Sequence, residues 1–468
     1  MARKAKAAQD VFAGFDAAAV DRVLSAMVRA VEAKAAALAK MAVEETGYGV
    51  VAHKTVKNLF AARDVYQAIK DIKTIGVIRE DRERRIVETA VPVGVILGLT
   101  PTTNPTSTAI HNALCAVKAG NAIIFSPHPN AARCTAAAAQ IMQDAAAEAG
   151  APDGLVSCLT KVTMQATEQL MRHDDISVIV ATGGSAMVKA AYSAGKPAFG
   201  VGPGNVPAFI ERTADVRQAV RDIIISKTFD NGMICASEQA ILADAPVKER
   251  VMAELENQGA HFLSAEETAK VSAVVMTPKG GMNSAMVGKT AAEIAERAGI
   301  AVPPRTRLLV APLSGYGPGF PLSYEKLTSL VAFYTVSDWH EACQLSIELL
   351  KLGGIGHTFA IHSQDEAVVR EFIQKPVFRI VVNTPSAFGA IGYSTGLLPS
   401  LTLGCGTWGG SSISENLGPQ HLINVKRLAY GIRRVEIPDP ALPAAPNAVS
   451  AETVASLVRQ VLAEMGLR

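Results

Sequence analysis

The chain is poor in the features that would tie it to a membrane, a nucleic acid or an oxidising compartment. Neither sign of charge prevails: 45 Lys and Arg stand against 43 Asp and Glu, a net +2. That leaves no electrostatic footprint for nucleic acid or anionic lipid. The basic run from Arg79 to Arg85 is interleaved with acids and reads as a solvated edge. No stretch resembles an uninterrupted membrane span; the apolar run Val91–Leu99 is short and broken by Pro92, Gly94 and Gly98. The N-terminus is basic and then alanine-rich, without the apolar core or cleavage site of a secretory leader. Cysteines number six (Cys115, Cys134, Cys158, Cys235, Cys343, Cys405) and form no C-x-x-C pair. Such dispersal predicts reduced thiols in a cytosolic setting, with neither a disulfide framework nor a metal site.

What is present is apolar and ordered: 49% of the 468 residues are hydrophobic and 19% charged, with a mean hydropathy of +0.22. Apolar spacing predicts a helix over Val20–Thr46, then strands at Ile86–Val91 and Val93–Leu99. Pro105 suits the first position of a helix that runs to a stop at Gly120. The alternation continues: strand Ala122–Ser126, helix Ala131–Ala149, strand Leu155–Leu159, helix Thr163–Met171, strand Ile176–Ala181, helix Ala186–Ala194. Repeated units of this length imply a doubly wound parallel sheet with a ligand crevice beyond the carboxyl ends of its strands. A second α/β unit follows residue 228 and ends near Ser412, and strand material is expected at Ala429–Ile437, to pair with the Ile86–Val91 region or with another subunit. Ala441–Pro446 has the composition of a linker. Beyond it, Val454, Leu457, Val458, Val461, Leu462 and Met465 share one helical stripe, with Ser450 as N-cap. That helix either docks on its own domain or serves as a tethered amphipathic tag.

Among the cysteines, Cys115, Cys134, Cys158 and Cys343 fall in apolar helix or strand contexts and read as packing residues. Cys235 differs: Asn231-Gly232 before it is a turn dipeptide, and small Ala236-Ser237 follow, so its sulfur can sit on a tight loop. Cys405 also falls in a loop. A nucleophilic thiol needs access and donors for an oxyanion. Asn104 offers such a donor, or a cap for the helix at Pro105. Gly183-Gly184-Ser185, at a strand-to-helix turn, would let backbone N–H groups approach a dinucleotide phosphate. No full G-x-G-x-x-G occurs.

Six segments occurring in order carry a resemblance: TPTTNPTSTAIHNALCAVKAGNAIIFSPHP, ATGGSAMV, FDNGMICASEQA, EKLTSLVAFY, GGIGHTF and LTLGCGTWGGSSISENLGPQHLINVKR. Over roughly residues 20–435 the chain resembles the coenzyme-A-acylating branch of the aldehyde dehydrogenase superfamily, closest to the propionaldehyde and acetaldehyde dehydrogenases of bacterial microcompartments. The resemblance implies an α/β fold with a Rossmann-type NAD-binding domain (1–228) and a catalytic domain bearing the nucleophile (229–412). It also implies a return segment with an oligomerisation strand (413–440), a linker (441–450) and an amphipathic encapsulation helix (451–468). By the same resemblance Cys235 is the nucleophile and Asn104 the oxyanion donor. Thr182, Gly183 and Gly184, with Glu325 at the nicotinamide ribose, would hold the cofactor. Ser126, Pro127 and His128 fall at the adenosine end, where many members carry a lysine, so NAD is expected with NADP as the alternative. His357 is the imidazole for proton transfer with coenzyme A, and Thr402 and Cys405 line the aldehyde pocket. Hydrolytic members carry a glutamate base in the segment matching Ala198–Ile210; here no acid occurs before Glu211. That departure favours a thiol acceptor over water. The expected partners are a short aldehyde, coenzyme A, a microcompartment shell protein and further copies in a homodimer or homotetramer, with the enzyme in the cytoplasm or the compartment lumen.

Overall fold

The structure, a computed structural model, describes residues 1–278, 280–435 and 450–466. It divides into two units, one of Met1–Ile78 with Thr89–Lys426, the other of Arg79–Glu88 with Arg427–Arg468. Strands β1 (Gly76–Asp81) and β2 (Ile86–Pro92) come first. Strands β3 (Val95–Thr100), β4 (Ala122–Pro127), β5 (Val156–Cys158), β6 (Ile176–Thr182) and β7 (Ala198–Val201) make a five-stranded sheet of order β5-β4-β3-β6-β7. Every pairing in it is parallel. β3 and β4 are buried at every residue, as continuous apolar runs must be when both faces are covered. The chain winds from β3 out to β5, then returns to β6 on the other side of β3. The order therefore reverses between β3 and β6, and their carboxyl ends open a crevice there.

A second, seven-stranded parallel sheet contains β8 (Val206–Ile210), β9 (Glu238–Asp244), β10 (Ala260–Phe262), β11 (Leu308–Pro312), β12 (Leu330–Val336), β13 (Gly356–His362) and β14 (Val377–Val382). Its order is β10-β11-β12-β9-β8-β13-β14. Only Gly202–Asn205 separates β7 from β8. A link that short forces the carboxyl end of the first sheet to face the amino end of the second. The change of sheet thus falls between residues 201 and 206 and not at 228: β8 and the helix Val216–Thr228 that follows it belong with the second sheet.

Helix Ala17–Thr46 starts where the Asp16 side chain accepts from the Ala19 N–H at 2.7 Å and stops at Gly47, whose φ of 69° is left-handed. An N-terminal helix, Ala2–Phe12, was not expected; it buries Ala2, Ala5, Ala8 and Phe12. Strand β15 (Ile423–Ala429) completes a small sheet of order β1-β2-β15. This corrects the strand expected at Ala429–Ile437. Half-buried and exposed residues alternate over Ile423–Lys426, residues 430–435 are not strand, and 436–437 lie outside the described residues. Of the two pairings expected for this strand material, with the Ile86–Val91 region or with another subunit, the structure has β15 beside β2. In the second unit the Arg427 guanidinium meets Glu88 at 2.9 Å, and Arg85 lies over the Tyr430 ring. The unit ends in helix Ala451–Glu464, capped by Ser450, with no residue buried. The expected linker Ala441–Pro446 lies outside the described residues. Among those residues, no helix is long and apolar enough to cross a membrane.

Candidate active site

The loop that carries Cys235 begins where helix Val216–Thr228 ends. Three consecutive residues turn left-handed: Asp230 (φ 50°), Asn231 (φ 55°) and Gly232 (φ 77°). For the two with side chains this costs roughly 1–2 kcal/mol each, so the surroundings must hold them. A side chain at residue 232 would put its Cβ 2.6 Å from the Thr328 carbonyl oxygen, which admits glycine alone. Asn231 donates its amide to the Gly288 carbonyl at 2.8 Å. Asp230, fully buried, accepts from the Val50 N–H at 2.8 Å and from both Lys54, at 3.0 Å, and Lys57. Its own N–H donates to His53 Nδ1 at 2.9 Å. Burial pushes the Asp230 carboxyl up, but Lys57 and Lys54 outweigh it and hold it below its ordinary value. Burial likewise drives Lys57 down to about 8, against the pull of Asp230. Past the turn, Ser237 N–H closes on the Ile234 carbonyl at 2.8 Å and β9 begins. Cys235 is left half-buried at the loop's crest.

Asn104 stands at the N-cap of helix Pro105–Lys118, but its side chain makes no capping bond. Instead its Nδ2 donates to the Met233 carbonyl at 3.1 Å and to Thr103 Oγ1 at 3.2 Å, while Oδ1 accepts from Lys57 Nζ at 2.6 Å. The amide is thereby drawn to the loop that carries Cys235.

The other groups around Cys235 come from the amino ends of the second sheet. Gly204, just before β8, lies so close that a Cβ there would be 2.1 Å from the Cys235 carbonyl oxygen and 3.2 Å from His357 Cε1. The Gly204 N–H donates to Glu325 at 2.9 Å. Glu325 follows a single 3₁₀ turn, Pro321–Ser323, and is not in a helix. Burial raises its carboxyl to about 7. His357 is the second residue of β13, fully buried; its Nδ1 shares a hydrogen bond with Thr358 Oγ1 at 2.9 Å and its Nε2 has no partner among the described residues. Burial and then Arg379 push the imidazole well below its usual range, so it is neutral at pH 7. Arg379 is buried with no carboxylate partner among the described residues, donating to the Gly404 carbonyl at 2.7 Å and to Ser414 O and Asn416 Oδ1. Burial, then Glu325 and Cys405, push the Cys235 thiol up to about 12; Arg379 and its own N–H oppose the rise. The resting sulfur is therefore a protonated thiol.

Thr182, Gly183 and Gly184 lie at the carboxyl end of β6, where a Cβ at either glycine would meet open space and Gly184 starts helix Ser185–Tyr192. Backbone N–H groups at an open helix N-terminus suit a pyrophosphate, so these residues fit the cofactor that the motifs imply. Ser126 and Pro127 are buried at the carboxyl end of β4, Ser126 bonded to Thr167 Oγ1 at 2.8 Å, with His128 exposed beyond them. Thr402 is buried and its hydroxyl bridges Thr182 Oγ1 (3.2 Å) and Asn112 Oδ1 (3.1 Å), which ties it to the cofactor turn. Cys405 helps to line a cavity of about 570 Å³ with Gly202, Pro203, Ile355, Trp408 and Gly409. Lys54, Lys57, Asp230 and Arg379 did not emerge from the sequence.

The aldehyde dehydrogenase family model matches residues 1–293, and the chain belongs to that family. It is 45% identical over 435 residues to the bifunctional aldehyde-alcohol dehydrogenase of Escherichia coli (strain K12), covering 92% of this chain and 49% of that protein. The chain thus spans about half the length of that relative. It is 37% identical to the acetylating succinate-semialdehyde dehydrogenase of Clostridium kluyveri, covering 93% of this chain and 96% of that one. An acetylating aldehyde dehydrogenase structure from Geobacillus thermoglucosidasius superposes with a TM-score of 0.92 at 53% identity, covering 93% and 97% of the two chains. A propionaldehyde dehydrogenase from the fucose utilisation microcompartment of Clostridium phytofermentans gives 0.83 at 28%, covering 92% and 96%. The likeness to the acylating branch read from the motifs is borne out.

Proposed function

We propose that the protein oxidises a short aldehyde to its coenzyme A thioester, through an acyl group held on Cys235. The observation that carries this is the make-up of the ground beside the thiol. The segment from Ala198 to Ile210 brings backbone there, at Gly204, and no carboxylate. Glu211, the next acid, is bound to Thr213 and Ser363. Water thus lacks the carboxylate base that hydrolytic members carry in this segment, whereas a thiol ionises with modest help.

Since Cys235 rests as a thiol, its proton must leave when ligands arrive; Glu325, poised near 7, and the neutral His357 are the acceptors at hand. The thiolate adds to the aldehyde carbon, and Asn104 Nδ2 with the Cys235 N–H receives the oxyanion. One such donor is worth roughly 3–4 kcal/mol. Thr182, Gly183, Gly184 and Glu325, with Ser126, Pro127 and His128, would hold NAD, which when bound would accept the hydride. The coenzyme A sulfur, its proton taken by His357, then attacks the acyl carbon. The bond to Cys235 breaks and the thiolate is restored. Cys405 faces the aldehyde side.

Motif resemblance favours propionaldehyde over acetaldehyde, while the acetylating structure at 53% identity weighs toward two carbons. The terminal helix, with Val454, Leu457 and Val458 exposed, suits a tag for a microcompartment shell. Subunit pairing through β15 would make the dimer or tetramer. A hydrolytic reading draws on one observation, the Glu325 carboxylate coupled to Cys235. NADH formation with and without coenzyme A separates the two. The acylating reading expects one equivalent of NADH and an acyl adduct at Cys235 without coenzyme A, and sustained turnover with it. Equal sustained rates in both would overturn it, as would turnover by Cys235→Ala.

A further inference from the structure

Lys57 belongs to none of the roles assigned so far, although it is almost wholly buried and its ammonium is fully engaged. Its three protons go to Asn104 Oδ1 (2.6 Å), Asp230 Oδ2 (2.5 Å) and the Met233 carbonyl (3.3 Å). An ammonium donates and never accepts. It therefore dictates which end of the Asn104 amide faces it. The oxygen must, because the reversed amide would set an NH₂ against an NH₃⁺ and leave two donors without acceptors. With Oδ1 fixed, Nδ2 points to the loop that bears the nucleophile and meets the Met233 carbonyl at 3.1 Å. Lys57, Asn104 and Met233 O close a ring, so the donor is aimed before any substrate arrives. One Nδ2 proton rests on the neutral Thr103 hydroxyl, at 3.2 Å. A developing oxyanion accepts more strongly and takes it.

We infer that Lys57 is a positioning residue of the reaction, acting through Asn104 by holding its amide with the N–H side toward the nucleophile. The inference rests on the reading of Asn104 as oxyanion donor. Lys54 provides the comparison: it binds the same Asp230 carboxylate and the Thr103 carbonyl (2.7 Å), but not Asn104. A lysine that only stabilised the fold would resemble Lys54 in its effects.

The test uses the full chain with aldehyde, NAD and coenzyme A, comparing Lys57→Met, Lys54→Met, Asn104→Ala and the double variant Lys57→Met/Asn104→Ala. Melting temperature and NAD binding are measured alongside the kinetics. Lys57→Met should lower kcat by about 100-fold, the scale of one misdirected oxyanion donor, with the aldehyde KM changed less than about threefold. Lys54→Met should lower kcat by less than about tenfold. The double variant should fall no further than Asn104→Ala, because the lysine works through the amide. Full additivity in the double variant, or equal kcat losses for the two lysines, would overturn the inference. If Asn104→Ala itself keeps wild-type kcat, the oxyanion reading fails first. A crippled Asn104→Ala beside an unimpaired Lys57→Met sinks only the role of the lysine.

Discussion

Gly204→Ala probes how closely the second sheet's edge is pressed on the reactive loop. Adding one methyl group changes neither charge nor hydrogen bonding: the Gly204 N–H remains free to reach Glu325. Its Cβ, however, would lie 2.1 Å from the Cys235 carbonyl oxygen, where ordinary contact starts at 3.4 Å. The two backbones must separate by about 1.3 Å. Neither side is a flexible tip: one is the lead into β8 and the other a turn anchored at Asp230, Asn231 and Gly232. Misplacing reacting groups by about 1 Å costs roughly 10²-fold in rate, equivalent to about 2.7 kcal/mol in the barrier. Overpacking costs about 1–3 kcal/mol of stability, so the fold should survive. The assay pairs coenzyme-A-dependent NADH formation with a thermal melt and Cys235 alkylation. A fall of about 100-fold in kcat with a modest drop in melting temperature is expected. Wild-type kcat in the alanine variant would refute the claim that this contact sets the thiol's position.

Three further outcomes follow from the same geometry. Asp230→Asn leaves Lys54 and Lys57 buried without a counter-charge, which should cost about 3–5 kcal/mol in denaturant unfolding. Because the carboxyl is depressed below 3.8 in the folded state, that contribution is present above 3.8 and lost as the pH falls through the depressed value. Glu238 shows the opposite sign. It is buried, one carboxylate oxygen lacks a partner, and burial raises it from 4.5 to about 7. Its stabilisation is complete below 4.5 and lost as the pH rises through about 7, so Glu238→Gln should gain in melting temperature relative to wild type between pH 5 and 8. Removing residues 441–468 should leave kcat unchanged and abolish co-purification with shell protein; a chain that no longer folds would instead favour a docked helix.

The parallel sheets were legible because strands covered on both faces read as unbroken apolar runs. Ala122–Ser126 and Ile176–Ala181 announced themselves this way, and the structure extends each by one residue. The turn before Cys235 was legible because Asn-Gly is the dipeptide that tolerates left-handed backbone. The support of that turn was not. Lys54 and Lys57, three apart on the short helix Val51–Leu59, look like a solvated face, and the carboxylate that neutralises them lies 173 residues beyond Lys57. No local pattern discloses a pairing at that range. Arg379 was hidden for a similar reason: it is the one charged residue of β14, which reads as an outward cation, yet it is buried against carbonyls of a loop some 25 residues ahead. The N-terminal helix Ala2–Phe12 was overlooked because its buried face is largely alanine, which gives little contrast in hydropathy. The misplaced last strand shows the limit of composition at an edge, where one exposed stretch of mixed residues resembles the next.

The clasp between Asp230 and the two lysines also imposes a timetable. During synthesis the helix Val51–Leu59 emerges long before the turn it will grip, so its ammonium groups wait in water until residue 230 is made and folded against them. Only then does the sulfur at 235 acquire its finished setting. A chain that has passed residue 235 but has not yet folded there thus exposes an ordinary cysteine, and its buried setting comes into being only with the clasp.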